Sequence, residues 1–148
     1  MSTDVKTVDA DWPLNRVAEF LFEHDISGAP VVRDSELLGV ISLTDLARHN
    51  GTPGETVASE EPPVFYRSES SYAYSREDLE SFHTTSGDET TAADAMTPEV
   101  YDVSEHTSIQ QIAQVMLRSR IHRVFVTEKD QIRGIITALD MLKVVAAL

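Results

Sequence analysis

The apolar positions of this chain change their spacing in a fixed order. A short apolar and polar alternation over residues 5–8 predicts a strand, and the next run has helical spacing of three and four: Leu14, Val17, Ala18, Leu21 and Phe22. We expect Asp11 to cap this helix, with Pro13 in its first turn. Two short apolar runs on either side of the polar residues 33–36 predict a β-hairpin. A second helical run, starting near Leu46, completes a β-α-β-β-α unit.

The same order returns 95 positions later. Gly134 follows Gly39 at this offset, Asp140 follows Asp45, and Met96-Thr97 stands opposite Met1-Ser2. The second amphipathic helix begins at a capping-box sequence and repeats the apolar stripe with Ile109, Ile112, Ala113, Met116 and Leu117. One unit has too small a core to be stable alone, so the two copies are expected to pack their sheets together. The predicted fold class is α+β, with repeat 1 over residues 1–50 and repeat 2 over 94–148.

Residues 51–93 form an insertion between the repeats. The segment is rich in Gly, Pro, Ser, Thr and Glu, yet it holds five of the ten aromatic residues, namely Phe65, Tyr66, Tyr72, Tyr74 and Phe82. Residues 75–82 could form one or two helical turns. Two interpretations remain open: a mobile acidic insertion, or a segment that docks its aromatic side chains on the repeats or on a partner.

Composition narrows the function classes. The 148 residues include no cysteine, which excludes disulfides and thiol chemistry, and no apolar run is long enough to span a bilayer. The N-terminus lacks the features of a signal peptide, so the expected location is the cytoplasm. The histidines show no metal-ligand spacing, and no P-loop, Gly-x-Ser-x-Gly or Gly-x-Gly-x-x-Gly sequence is present. We therefore expect neither a metal site nor an enzyme.

The charge distribution points in the same direction. A net charge of −13 disfavours nucleic acid polymers and anionic membranes as partners, because both are polyanions. A small phosphate ligand is a separate case, since half of the lysines and arginines lie in residues 94–148. Arg118, Arg120 and Arg123 lie beside His122 there. This basic cluster is the exception in an acidic chain.

The repeat motifs resemble a known family. They are Met-Thr-Pro (96–98), Ser-Gly-Ala-Pro-Val-Val (27–32), Ile-His-Arg-Val-Phe-Val (121–126), Gly-Val-Ile-Ser-Leu-Thr-Asp-Leu (39–46) and Gly-Ile-Ile-Thr-Ala-Leu-Asp (134–140). Together, and in the same order in both halves, they resemble a pair of cystathionine beta-synthase (CBS) domains, the arrangement called a Bateman module. The resemblance covers both repeats and omits the insertion. It implies a stand-alone, non-catalytic regulatory module, which often forms homodimers.

The resemblance also implies a ligand and its contacts. Such modules often bind AMP, ADP, ATP or S-adenosylmethionine between the paired repeats, with no further cofactor required. By this resemblance Asp45 and Asp140 take the ribose hydroxyls. The remaining implied contacts are Ser42, Thr44 and Thr137 near ribose or phosphate, His122 and Arg123 on phosphate, as in the gamma subunit of AMP-activated protein kinase, and Val5, Ile26, Val100 and Ile121 around adenine. Repeat 1 has Ser27-Gly28 in place of His-Arg, which puts two equivalent sites in doubt.

Simpler roles exist for the same residues. Asp45 and Asp140 can cap the helices that follow them, a role that does not exclude ribose binding. His122 and Arg123 can be solvated residues paired with carboxylates. The main alternative function is a dimerisation or protein-interaction scaffold that binds no ligand, and an enzyme with a site assembled by folding is a third. The exposed helix faces, particularly Phe20 and Phe22, favour a homodimer, and the regulated protein is expected to be a separate chain.

Overall fold

Each repeat folds as a three-stranded sheet with flanking helices. The computed structural model describes residues 1–51, 64–67 and 90–148, with side chains over 1–47, 65–67 and 90–148. Repeat 1 and the residues that follow it contain β1 (Val8–Asp9), α1 (Leu14–Glu23), β2 (Gly28–Arg33), β3 (Glu36–Ser42), α2 (Leu43–Gly51), α3 (Val64–Arg67) and α4 (Ala92–Ala95). Repeat 2 contains β4 (Asp102–Ser104), α5 (Ile109–Ser119), β5 (Arg123–Glu128), β6 (Gln131–Thr137) and α6 (Ala138–Ala146). The α+β fold class is confirmed.

The strands are arranged with twofold pseudosymmetry, in the order β1-β2-β3-β6-β5-β4. The first strand of each repeat pairs in parallel with the second, and the second and third form an antiparallel hairpin. The two halves meet where Glu36 of β3 pairs with Gln131 of β6. Each hairpin turns through two residues with positive φ, Asp34 and Ser35 in one and Lys129 and Asp130 in the other. Such two-residue turns match the twist of paired strands, so both predicted hairpins form.

Each repeat's sheet is extended by a residue near the start of the other repeat. The backbone of Ser2 exchanges two hydrogen bonds with Ile135 of β6, at 3.0 and 2.9 Å. At the offset of 95, Thr97 exchanges two with Val40 of β3, at 2.8 and 2.9 Å. We call this arrangement the reciprocal exchange. It places a carbonyl so close to Gly39 that a Cβ there would lie 2.5 Å from the oxygen of Thr97.

The reciprocal exchange also explains why the predicted first strands begin too early. Residues 5–8 were expected to form the first strand, but β1 contains only Val8–Asp9, and β4 contains only Asp102–Ser104. The residues before each strand are crossing from the other repeat's sheet. A pairing between segments so distant in sequence leaves no periodic signal.

Two hydrophobic clusters support the sheet. One lies in repeat 1, where Val8, Val17, Leu21 and Ile41 are fully buried, and the other centres on Phe125 in repeat 2. The predicted cap of α1 is wrong: Pro13 is the N-cap residue and makes no side-chain cap hydrogen bond. Asp11 instead pairs with Arg33 at 3.2 Å. No helix in the described part of the chain has both the length and the apolar composition that a membrane span requires.

Candidate ligand cleft

Asp45 lies in the first turn of α2 and is held by two neighbouring segments. Its Oδ2 accepts hydrogen bonds from the backbone N–H of Ser42 at 2.8 Å and from the Ser42 hydroxyl at 3.1 Å. The N–H of Asp45 donates in return to the Ser42 hydroxyl, which completes a reciprocal helix cap. Oδ1 accepts a 3.3 Å hydrogen bond from the hydroxyl of Thr97, a residue of the reciprocal exchange. Thr44 is half-buried in the same turn.

Asp140 occupies the equivalent position at the start of α6. Its Oδ2 accepts from the N–H of Thr137 at 3.0 Å, and its own N–H donates to the Thr137 hydroxyl at 3.1 Å. The Thr137 N–H, and more weakly the chain's N-terminal ammonium and Lys143, hold the pKa of Asp140 below its usual range despite partial burial. No described residue donates a hydrogen bond to Oδ1 of Asp140. Thr137 is the N-cap residue of α6, and Asp140 completes its capping box from the N3 position, so Asp140 contributes to the cap without being the N-cap residue itself. In repeat 2 this cap uses only one of the two carboxylate oxygens.

The structure separates the two side chains of the His-Arg pair. His122 is exposed and borders a groove between α5 and α6, together with Leu117, Met141 and Leu142. The half-buried Arg123 side chain faces the interior between the repeats, where its guanidinium carbon lies 4.9 Å from the centre of the Phe65 ring. The two side chains therefore do not converge on one point.

The four residues expected around adenine divide unevenly between the two hydrophobic clusters. Val5 and Ile26 are half-buried; Ile26 packs on the repeat 1 cluster, whereas Val5 packs on the repeat 2 cluster. Val100 is half-buried and Ile121 fully buried, and both belong to the repeat 2 cluster. Through the reciprocal exchange, the segment that contains Val100 continues from the Thr97 that contacts Asp45. By pseudosymmetry, the segment that contains Val5 continues from the Ser2 that pairs beside Asp140.

The insertion contributes two residues to the cleft that were not predicted as site residues. Phe65 and Tyr66 of α3 are buried, with exposures of 6% and 0%. The docked-segment interpretation therefore holds for α3, whereas Tyr72, Tyr74, Phe82 and the helical turn expected over 75–82 lie outside the described residues. The available signal was the apolar triplet at 64–66 within an acidic stretch. No group of three His, Asp or Glu in the described ranges could hold a metal ion.

Comparison with known proteins identifies the family. The CBS domain model matches residues 1–51 and 92–147, which together make up most of the chain. The chain therefore belongs to the CBS domain family, and its matched regions coincide with the two repeats. A curated relative, the uncharacterized protein MJ1232 of Methanocaldococcus jannaschii, is 25% identical over 144 residues. That match covers 97% of this chain but only 37% of the relative.

Solved structures share the fold. The CBS domain of a CBS domain containing membrane protein from Sphaerobacter thermophilus is 31% identical, with a TM-score of 0.63 over 94% of this chain and 80% of that chain. Protein MJ1225 from Methanocaldococcus jannaschii is 22% identical, with a TM-score of 0.64 over 98% of this chain and 45% of that one. CBSX2, solved in complex with AMP, is 19% identical, with a TM-score of 0.65 over 99% and 92%.

Proposed function

We propose that this protein is a non-catalytic regulatory module that binds an adenine nucleotide, or a related adenosyl ligand such as S-adenosylmethionine, between its two CBS repeats. The observation that carries the proposal is Asp140 at the start of α6. Its carboxylate is anionic, is fixed by Thr137 through Oδ2, and presents an Oδ1 to which no described residue donates. A carboxylate held in this way can accept hydrogen bonds from both hydroxyls of a ribose.

The surroundings supply the other parts of a nucleotide. The apolar side chain of Val5, which packs on the repeat 2 cluster, provides a surface for a base. The first turn of α6 offers backbone N–H groups and the Thr137 hydroxyl to ribose or phosphate oxygens. Arg123 is the better phosphate candidate of the His-Arg pair, because its side chain faces the interior between the repeats. Asp45, Ser42 and Thr44 form the corresponding group in repeat 1. The AMP complex of CBSX2, a protein of the same fold, supports this class of ligand.

Isothermal titration with AMP, ADP, ATP, S-adenosylmethionine and GTP tests the proposal. The informative variant is Asp140→Asn, which keeps an oxygen for the Thr137 N–H but replaces the second oxygen with an NH₂ group. We expect at least one adenine ligand to bind the wild-type protein, and Asp140→Asn to weaken its binding more than tenfold. Asp130→Asn is the matched control, because it removes the same charge from an exposed turn of the same repeat and Asn tolerates positive φ.

The outcomes separate sensing from the scaffold alternative. Binding that Asp140→Asn weakens and Asp130→Asn preserves would support a nucleotide sensor. Absence of heat with every ligand, at protein concentrations suited to micromolar affinity, would refute the proposal and favour the scaffold. Chromatography of a nucleotide incubated with the protein would detect its conversion to a product, and such conversion would refute the proposal that the module is non-catalytic.

We also propose that the module forms a homodimer, which one surface of repeat 2 favours. Helices α5 and α6 border an apolar groove of about 520 Å³. Leu117 at its edge is 80% exposed and Leu142 is 63% exposed. Among the described residues that line this groove, Arg120 is basic and none is acidic, although the whole chain has a net charge of −13. Two copies can therefore bury it with little charge repulsion.

Light scattering coupled to size-exclusion chromatography tests the dimer. We expect twice the chain mass of 16.4 kDa for the wild-type protein and a single chain mass for Leu117→Glu. Gln111→Glu is the control, because it adds the same charge to α5 outside the groove and preserves the capping box with Ser108. A monomeric wild-type protein, or an unchanged mass for Leu117→Glu, would refute this interface.

A further inference from the structure

Helix α3 inserts two aromatic side chains between the repeats. The Phe65 ring stacks on Phe125 with 5.4 Å between centroids and an interplanar angle of 11°, and Tyr66 packs edge-on against both rings. Tyr66 also meets Tyr101 with 4.8 Å between centroids. These contacts place α3 in the hydrophobic cluster that contains Val100 and Ile121. A segment of the insertion therefore occupies an apolar slot lined by two of the four residues that were expected around adenine.

Tyr66 satisfies the backbone polar groups around this slot. The N–H of His122 donates to the Tyr66 carbonyl at 2.6 Å, and the Tyr66 hydroxyl donates to the carbonyl of Glu99 at 3.1 Å. The N–H of Tyr101 donates to the same hydroxyl at 3.2 Å. A planar, apolar group with polar atoms at its edge is the chemistry that a nucleotide base would bring here. Tyr66 supplies both parts from within the chain.

Phe65 contacts a position at which the two repeats carry different residues. Gly28 and Arg123 are equivalent positions at the offset of 95, and Phe65 contacts both. A Cβ added at Gly28 would lie 2.9 Å from the carbonyl oxygen of Ile41 and 3.0 Å from Cδ2 of Phe65. On the other side, the guanidinium of Arg123 lies over the ring. The small residue in repeat 1 leaves room for Phe65, so the departure of Ser27-Gly28 from the His-Arg pattern is the counterpart of α3.

The carboxylates of Asp45 and Asp140 also differ between the repeats. Both oxygens of Asp45 accept hydrogen bonds, Oδ2 from Ser42 and Oδ1 from Thr97. In the described part of the chain, Asp140 accepts through Oδ2 alone, from Thr137. The residue equivalent to Thr97 is Ser2, whose backbone exchanges hydrogen bonds with Ile135. Residues 97–100 therefore connect the slot that Tyr66 fills to Asp45, the carboxylate whose two oxygens both accept hydrogen bonds.

We propose that Phe65 and Tyr66 are a built-in occupant of the Asp45 half of the cleft, so that the module binds one nucleotide per chain, in the Asp140 half. This assignment rests on the proposed function and states which of two pseudo-equivalent positions performs it. Tyr66 fixes the stoichiometry by excluding a second base. The insertion thereby converts a symmetric duplication into a module with a single site.

Titration with AMP and ATP measures the stoichiometry directly. We expect one site per wild-type chain, and its loss in Asp140→Asn. The double variant Phe65→Ala/Tyr66→Ala opens the second slot, so it should bind two nucleotides per chain. Addition of Asp45→Asn to this double variant should return the value to one. Two sites in the wild-type protein, or a single site in a folded double variant, would overturn the proposal while leaving the proposed function intact. No binding by any of these proteins would refute the proposed function itself.

Removal of two buried rings can unfold the protein, so a measurement on the wild-type chain provides an independent test. Hydrogen exchange followed by mass spectrometry reports the His122 amide, which the Tyr66 carbonyl protects. We expect saturating AMP to leave the exchange of this amide unchanged within twofold and to slow exchange at the start of α6. Faster exchange at His122 on addition of AMP would mean that the nucleotide displaces α3, and would overturn the proposal. Tyr66→Phe should speed His122 exchange in the absence of ligand, because it weakens the docking of α3.

Discussion

Tyr66→Phe removes one hydroxyl and tests how firmly α3 is bound to repeat 2. The hydroxyl donates to the Glu99 carbonyl and accepts from the Tyr101 N–H, and the ring itself is fully buried. A buried backbone group that loses its partner costs about 1–3 kcal/mol, but Glu99 is exposed and Tyr101 only half-buried, so water can replace part of what is lost. We expect the free energy of unfolding to fall by about 1–2 kcal/mol. For a domain of this size the melting temperature should fall by about 2–8 °C.

The effect should depend on pH in a defined way. Burial raises the pKa of the Tyr66 phenol well above its ordinary value. The folded state therefore holds this proton more tightly than the unfolded state does. The resulting stability is fully present below the unfolded pKa of about 10 and is lost as the pH rises above it. Linkage gives a loss of roughly 1.4 kcal/mol by pH 11 for wild-type protein and none from this position in Tyr66→Phe, so the two proteins should converge.

Urea unfolding followed by circular dichroism at pH 8 and pH 11 measures both effects. Tyr101→Phe is the matched control, because it removes a tyrosine hydroxyl from a half-exposed neighbour and should change stability by less than about 0.5 kcal/mol at pH 8. Burial, with Glu99 nearby, also raises the pKa of Tyr101, but that contribution is common to wild-type protein and Tyr66→Phe and cancels. The reasoning fails if Tyr66→Phe is as stable as wild-type protein at pH 8, or if the difference is the same at both pH values.

Four further substitutions test three other parts of the structure. Gly39→Ala should destabilise the protein by about 1–3 kcal/mol, because the added Cβ would meet the Thr97 carbonyl. Gly134→Ala should behave similarly, because its Cβ would lie 2.8 Å from the Ser2 carbonyl. Thermal melts that show no change in either variant would contradict the reciprocal exchange. Ser108→Ala should cost about 1 kcal/mol, since it removes the hydroxyl that accepts from the Gln111 N–H, and an unchanged urea midpoint would exclude this cap. The lowered pKa of Asp140 contributes stability that is fully present above the unfolded pKa of about 3.9 and is lost as the pH falls through the folded pKa. The difference in stability between wild-type protein and Asp140→Asn should therefore shrink on acidification. A constant difference from pH 6 to pH 2 would show that the charge of the carboxylate does not stabilise the fold.

Local features were the most predictable. Polar turns between apolar runs predict both hairpins, and aspartates at the starts of helices predict a capping role for Asp45 and Asp140, because each feature depends on residues adjacent in sequence. That Thr137, and not Asp140, is the N-cap residue of α6 was not predicted. The offset of 95 predicts the pseudosymmetry. The prediction of a nucleotide ligand came from the family resemblance, because the spacing of residues alone does not reveal a ligand.

Features that depend on distant pairings were not predictable. The first strands begin late because Ser2 and Thr97 join the opposite repeat. Phe65 and Tyr66 lie in an acidic stretch too short to show a period, and their partners are far away in the chain. The difference between Asp45 and Asp140 depends on one hydroxyl, that of Thr97, reaching across from the other half. Two residues that look equivalent in sequence thus have different surroundings.

The reciprocal exchange has a consequence for the ancestry of the duplication. Residues 96–97 complete the sheet of the repeat that precedes them, and residues 1–2 complete the sheet of the repeat that follows. A single ancestral repeat carrying one such segment would have lacked a partner for it within its own chain. Two copies could have satisfied each other by trading segments, as domain-swapped dimers do. Fusion of the two copies would keep the exchanged segments within one polypeptide. The connection between the copies, residues 51–93, could then diverge in sequence.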